Sequence, residues 1–155
     1  GIDSMATVRV ATEEDIPRIL ELYGELVITA SPEELNRRPS ALDYRRAFAQ
    51  INTATGHDLL VAEERGKIVG TMVLIIVPNL SHGGLPWAGV ENVVVDSGYR
   101  RQGIGKLLMD YALAQAKKAG CYKIQLISDK RRKEAHQFYR SLGYKSSGHG
   151  FRLYL

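Results

Sequence analysis

Residues 93 to 108 read VVVDSGYRRQGIGKLL, and this stretch decides the fold. A valine run ends at Asp96, two arginines follow, and Gly103 and Gly105 open an apolar helical pattern. This order predicts a strand, a loop and a helix whose first turn contains the glycines. A helix start offers unpaired backbone N–H groups and a positive dipole end, so it can hold an anion. The neighbouring arginines indicate that this anion is a phosphate.

Two common glycine motifs do not account for this loop. A dinucleotide fingerprint needs a third glycine three residues after Gly105, where Leu108 stands. A P-loop needs a hydroxyl residue after its lysine, but Leu107 follows Lys106. The loop therefore either holds the phosphate of a different kind of ligand or is a tight turn that merely uses glycine.

Composition indicates one ordinary globular domain. The chain has 155 residues, of which 45% are hydrophobic and 25% charged. We expect residues 1–4, which precede Met5, to be an expression remnant, and residues 5–155 to be the domain. The single cysteine, Cys121, excludes an intramolecular disulfide and favours a cytoplasmic location. No apolar run approaches membrane-spanning length, and the basic pairs behind the net charge of +4 are too scattered for a nucleic-acid partner.

Hydrophobic periodicity predicts the order β-α-α-β-β-β-α-β-α-β. The first helix begins after Thr12, and Ser128 or Asp129 is expected to cap the last. The predicted strands cover residues 8–11, 58–64, 68–77, 87–95 and 121–127, with one or two edge strands in 144–155. The fold class is therefore α/β, with a mixed, mainly antiparallel central sheet and flanking helices in a single domain.

Two motifs carry a family resemblance. Arg100-x-x-Gly103-x-Gly105 resembles the acetyl-CoA signature of the GCN5-related N-acetyltransferase (GNAT) family. The segment AHQFYRSLGY, residues 135–144, resembles the second signature of that family. The resemblance implies the acyl-CoA N-acyltransferase fold, acetyl-CoA as co-substrate, and transfer of acetyl to a primary amine of a small molecule. The amine would attack the thioester directly in a ternary complex.

The resemblance also implies the donor-binding residues. Backbone amides of the loop would hold the CoA pyrophosphate, and the end of the preceding strand would pair with the pantetheine arm. Arg132 stands where the family often has an asparagine, and it could reach a CoA phosphate. The implied set consists of Val93, Val94, Val95, Arg100, Arg101, Gln102, Gly103, Ile104, Gly105, Lys106 and Arg132.

Tyr139 and Glu91 are the candidate catalytic residues. The family tyrosine that matches Tyr139 is implied to protonate the departing thiolate, a transfer that phenol and thiol pKa values allow. By strand alternation, Glu91 shares a face with Val93 and Val95, and burial there would make it a better base. Base and positioning roles for Glu91 both stay open, as does packing alone for Tyr139.

Metal chemistry is not expected, because four histidines and Cys121 lack metal-ligand spacing. Cys121 is read as a small buried apolar residue, and His82 as a surface residue that could line the acceptor pocket. Residues 33–39 and 78–86 are expected to be loops beside that pocket. A shorter similarity, in residues 90–92 and 120–124, points to glucosamine-6-phosphate N-acetyltransferases and implies a homodimer. The alternatives are a lysine or N-terminal protein acetyltransferase and a non-catalytic acetyl-CoA sensor.

Overall fold

The computed structural model describes residues 5–26 and 39–155. It contains two compact units, which meet in sequence between Gln125 and Leu126. Five strands form one sheet in the order β1-β2-β3-β4-β5. The strands are β1 (Thr7–Val10), β2 (His57–Glu64), β3 (Lys67–Val77), β4 (Trp87–Val95) and β5 (Ile124–Leu126). The helices are α1 (Ile16–Tyr23), α2 (Ala41–Thr53), α3 (Ile104–Lys118) and α4 (Lys133–Ser141).

The first four strands are antiparallel neighbours. The hairpin between β2 and β3 turns at Arg65 and Gly66, whose φ angles of +51° and +79° match the right-handed twist of the strands. Near the start of β4, the Tyr122 N–H donates to the Pro86 carbonyl at 3.0 Å and the Ala88 N–H to the Lys123 carbonyl at 2.9 Å. These bonds advance in the same direction along both segments, as in a parallel pair. The predicted mixed, mainly antiparallel sheet with flanking helices is confirmed.

Helices α1 and α2 cover one side of the sheet, and both start with a cap. The Thr12 N–H donates to the Asp15 carboxylate at 2.8 Å before α1, and Ser40 and Asp43 cap α2 reciprocally. Their apolar sides join strand residues in one core. The buried members of this core are Ala11, Ile19, Leu22, Phe48, Leu59, Val61, Ile68, Val73 and Val94.

Helix α3 packs against β3 at Gly70. A Cβ atom on Gly70 would lie 3.0 Å from Ile104 Cγ2 and 3.2 Å from Leu108 Cδ1. Both partners are almost fully buried. The missing side chain at Gly70 therefore sets how closely the first turns of α3 approach the sheet.

Three predictions about the second half are wrong. The strand predicted over 121–127 is confined to Ile124–Leu126, and α4 begins at Lys133 instead of directly after a cap at Ser128 or Asp129. The Asp129 carboxylate accepts hydrogen bonds from the Arg131 backbone and side chain, so this residue forms a turn. Residues 144–155 form no strand, and the alternating side chains of Phe151, Leu153 and Leu155 are almost fully exposed.

The expected break after α1 and most of the loop predicted at 33–39 lie outside the described residues. In the part of the chain that is described, no helix is long and apolar enough to cross a membrane.

Candidate functional site

A β-bulge interrupts β4 just before its end. Glu91 pairs with Val73 and Val94 with Thr71, so Asn92 and Val93 together face the single residue Met72. Asn92 has a φ of +53°, and its side chain shares a hydrogen bond with the Tyr23 hydroxyl. Bulges of this kind bend a strand and are common beside active sites.

The bulge overturns the expectation for Glu91. Strand alternation would place Glu91 on the face of Val93 and Val95, but the extra residue puts it on the face of Val94. Val94 is buried in the core, whereas Glu91 is exposed to solvent. Glu91 therefore does not lie in the buried environment that the sequence analysis expected.

The segment after β4 forms a strained loop, which we call the glycine loop (residues 100–106). Asp96 directly follows the strand, and its carboxylate accepts a hydrogen bond from the Gly98 N–H at 2.8 Å. Arg101 and Gly103 have φ angles of +62° and +82°, and α3 begins directly afterwards at Ile104. Left-handed backbone at a non-glycine residue such as Arg101 is unfavourable and is often found at binding sites.

The start of α3 is open and carries cationic side chains. No heavy atom lies within 4 Å of the position that a Cβ on Gly103 would occupy. The side chains of Arg100, Arg101, Gln102 and Lys106 are exposed around this space. The first turn of a 15-residue helix adds unpaired backbone N–H groups and the positive end of its dipole. These are the donors that hold phosphates at helix starts.

Two of the residues predicted to bind the acetyl donor have buried side chains. Val94 is 4% exposed and Ile104 is 1% exposed, so both side chains belong to the core. Val93, Val95 and Gly105 are half-buried.

Two of the loop's cations already have acidic neighbours. A guanidinium nitrogen of Arg100 lies 3.5 Å from a Glu25 carboxylate oxygen, and the Lys106 ammonium lies 2.6 Å from the Asp110 carboxylate. Both pairs are largely exposed to solvent, where an ion pair contributes little free energy. A bound phosphate can therefore draw these cations away from their present partners.

The second unit contains Tyr139 and Arg132. Burial raises the pKa of the Tyr139 phenol, while the Arg132 charge acts in the opposite direction. The Tyr139 ring lies 5.3 Å from that of Phe138 and 6.1 Å from that of Tyr144. A raised pKa keeps the phenol protonated at neutral pH, as a proton donor requires. Arg132 is half-buried and stands at the N-terminal cap of α4.

The loop predicted at 78–86 has internal structure that its sequence does not suggest. It contains a short helical turn, Ser81–Gly84, in which His82 has a φ of +54°. The exposed His82 ring stacks on Tyr122 at a centroid distance of 4.0 Å. The Lys123 ammonium lies 5.9 Å from the Trp87 ring centroid. Whether these groups contact an acceptor stays a prediction.

Cys121 is half-buried, and burial raises the pKa of its thiol, so the reactive thiolate form is disfavoured. Within residues 5–26 and 39–155, no group of three metal-ligating side chains comes together.

The sequence reasoning missed a set of charged residues on helix α1 and directly after it. Arg18 donates to the Ile68 carbonyl at 3.0 Å and forms an ion pair with Asp96, at the end of β4. Glu25, just beyond the helix, accepts a hydrogen bond from the Ser97 N–H at 3.4 Å. The only signal in the sequence was the helical spacing of three charged residues, Arg18, Glu21 and Glu25, which indicates that they share one side of a helix. This spacing does not show which distant segment they contact.

Comparison with known proteins identifies the family. The model of the acetyltransferase (GNAT) family matches residues 20–144. A glucosamine 6-phosphate N-acetyltransferase of Trypanosoma brucei brucei is 32% identical over 145 residues, covering 94% of this chain and 92% of the relative. An aminoalkylphosphonate N-acetyltransferase of Salmonella typhimurium is 31% identical, covering 90% of this chain and 84% of the relative.

A solved structure agrees with these sequence matches. A protein of Bacillus halodurans described as a transcriptional regulator superposes with a TM-score of 0.85 at 34% identity, covering 97% of this chain and 99% of the other. With the glycine loop and the sheet order described above, these matches show that the chain belongs to the GNAT family of N-acetyltransferases.

Proposed function

We propose that this enzyme transfers the acetyl group of acetyl-CoA to a primary amine of a small molecule that also carries a phosphate or phosphonate group. The observation that carries the donor assignment is the open, left-handed glycine loop at the start of α3, with Arg100, Arg101 and Lys106 around it. The bound thioester would supply the activated acetyl group.

The acceptor class is supported by what two relatives share. The acceptors in their names, glucosamine 6-phosphate and aminoalkylphosphonates, differ in carbon skeleton. Both combine an amine with a dianionic phosphorus group. The net charge of +4 on this chain favours such anionic acceptors through its long-range field.

The residues of this chain would divide the work. Backbone groups of Val93 to Val95 would hold the pantetheine arm and stabilise the charge that develops on the thioester carbonyl oxygen. Exposed Glu91 would hold the acceptor ammonium by charge, and we favour this positioning role because its side chain is open to solvent instead of enclosed in the core. The ammonium would lose one proton to water, and the neutral amine would form the new C–N bond as the C–S bond breaks; the second proton on nitrogen would return through water to the Tyr139 phenolate. Tyr139 would give its phenolic proton to the sulfur, and Arg132 would contact a CoA phosphate.

We further propose that the enzyme works as a homodimer in the cytoplasm. Phe151, Leu153 and Leu155 are 91%, 87% and 99% exposed, an unusual state for alternating apolar side chains in a monomer. A second copy would cover them. Light scattering on the purified protein should give twice the chain mass, and replacing these three residues with serine should give a monomer. A monomeric wild-type protein would contradict this proposal.

An acceptor panel tests the proposed activity. Acetyl-CoA is mixed with glucosamine 6-phosphate or 2-aminoethylphosphonate, each beside its counterpart without the phosphorus group, and with a lysine peptide. Thiol release is then followed. We expect turnover with at least one phosphorus-containing amine and a kcat/KM at least about tenfold lower for its counterpart. Turnover of the peptide alone would indicate a protein acetyltransferase. CoA binding without turnover of any amine would indicate a sensor.

A further inference from the structure

We propose that the ion pair between Arg18 and Asp96 is the positioning device of the glycine loop, and that it sets the enzyme's affinity for the pyrophosphate of CoA. Arg18 lies on α1, and Asp96 stands where β4 ends and the phosphate-binding segment begins. The inference rests on the proposed function, because it takes CoA to be the ligand of the loop.

Asp96 makes five interactions at the junction of strand and loop, and one of them is with the Lys67 ammonium of β3, which lies 4.0 Å from its carboxylate. Its N–H donates to the Val69 carbonyl at 2.8 Å, and its carbonyl accepts from the Tyr99 N–H at 2.8 Å. Its carboxylate accepts from the Gly98 N–H at 2.8 Å and from the Arg18 guanidinium. The strand end and the turn after it are therefore held by the same residue.

Arg18 anchors this junction to the sheet and to α1. Its guanidinium donates to the Ile68 carbonyl in β3 and to Glu21 on its own helix, each at 3.0 Å. The side chains of Arg18 and Asp96 are 26% and 17% exposed, so water weakens their interaction less than that of a surface pair. The planar fork of arginine allows all of these contacts at once, which lysine cannot reproduce.

Glu25 adds a contact further along the same segment. One carboxylate oxygen accepts from the Ser97 N–H at 3.4 Å, and the other lies 3.5 Å from Arg100. Three contacts thus hold residues 96 to 100 to α1 and the turn after it: one from Arg18 and two from Glu25. The strained residues Arg101 and Gly103 follow directly. A fixed starting point reduces the entropy that the loop loses when it closes around a phosphate.

The decisive variant is Asp96→Asn. Asparagine keeps the shape and the oxygen for the Gly98 N–H but removes the negative charge that holds Arg18. If only electrostatic attraction mattered, removing an anion near the loop would tighten CoA binding. Positioning predicts the opposite sign. We expect the Kd of CoA, measured by titration calorimetry, to rise about tenfold, as for loss of one charged hydrogen bond.

Arg18→Gln should raise the Kd by a similar factor. Arg9→Gln is its matched control, because Arg9 also bridges two carboxylates, Asp15 at 2.7 Å and Glu63 at 2.9 Å, in the same charged concavity. Arg9 contacts β2 instead of the loop, so its loss removes the same charge and should leave the Kd unchanged. Thermal unfolding checks that each variant is folded during the titration.

A kinetic comparison separates positioning from general damage. S-acetylpantetheine lacks the pyrophosphate, so Asp96→Asn should lower kcat/KM for acetyl-CoA while changing the value for S-acetylpantetheine less than about twofold. An unchanged or lower Kd for CoA in folded Asp96→Asn, or equal losses with both donors, would overturn the inference. A wild-type protein that does not bind CoA would overturn the proposed function itself.

Discussion

Replacing Gly103 with alanine tests the glycine loop most directly. Gly103 has a φ of +82° and precedes the first residue of α3. An added Cβ would meet no heavy atom within 4 Å, so it causes no clash in the free protein. It would, however, stand in the open space at the helix start where we place the CoA pyrophosphate.

The expected effect has two parts. Left-handed backbone costs an alanine about 1–2 kcal/mol relative to glycine, which for a domain of this size lowers Tm by roughly 2–8 °C. Displacing the pyrophosphate should remove one charged hydrogen bond to the backbone, worth about 1.5–3 kcal/mol. The Kd of CoA should therefore rise about 10- to 150-fold, as measured by titration calorimetry.

The same helix supplies a matched control. Gly120, just beyond the other end of α3, has a φ of +78° and also has no neighbour within 4 Å of an added Cβ. Gly120→Ala should lower Tm by a similar amount and leave the Kd of CoA unchanged. Equal Kd values for Gly103→Ala and the wild type, or equal increases in both variants, would refute the assignment of the pyrophosphate to this loop.

Three further predictions concern catalysis and stability. Tyr139→Phe should lower kcat about 100-fold and leave the Kd of CoA unchanged. Burial raises the pKa of Tyr139, so the pH–rate profile of the wild type should fall only above pH 10, and the variant should lack this fall. An unchanged kcat would exclude the acid role. Gly70→Ala should destabilise the protein by about 1–3 kcal/mol in urea unfolding, because the added Cβ would crowd Ile104 and Leu108; a neutral substitution would contradict that close packing. The hydrogen bond from Arg9 lowers the pKa of Asp15 below its unfolded value, so its stabilising effect is present above about pH 4 and is lost as the pH falls further. The difference in unfolding free energy between wild type and Asp15→Asn should therefore shrink between pH 5 and pH 2, and a constant difference would contradict it.

Hydrophobic periodicity and local motifs were sufficient to predict most of the sheet and the position of the glycine loop from the sequence. Strands β2, β3 and β4 are long, apolar and separated by turn residues, so their patterns were readable without tertiary information. The start of α3 was marked by Gly103, because a glycine before an amphipathic pattern is a local signal.

The missed features depend on contacts between distant residues. The bulge at Asn92 is one extra residue in a valine-rich strand, and nothing in the run shows where alternation breaks. Glu91 was therefore placed on the wrong face. Arg18 and Asp96 lie 78 positions apart, so their pairing requires the folded sheet. The tail from Tyr144 alternates, but alternation cannot supply the neighbouring strand that a β-strand needs.

The left-handed residues limit how this enzyme can be engineered. In the described part of the chain, four non-glycine residues have positive φ; Asn92 directly precedes the residues that we assign to the donor, and Arg101 is one of them. Glycine at either position would relieve local strain, and a search for thermostable variants would select such changes. They would also free a backbone whose rigidity prepares it for the ligand. Thermostabilising libraries should therefore leave residues 92–103 unchanged and vary the exposed surface of α2 instead.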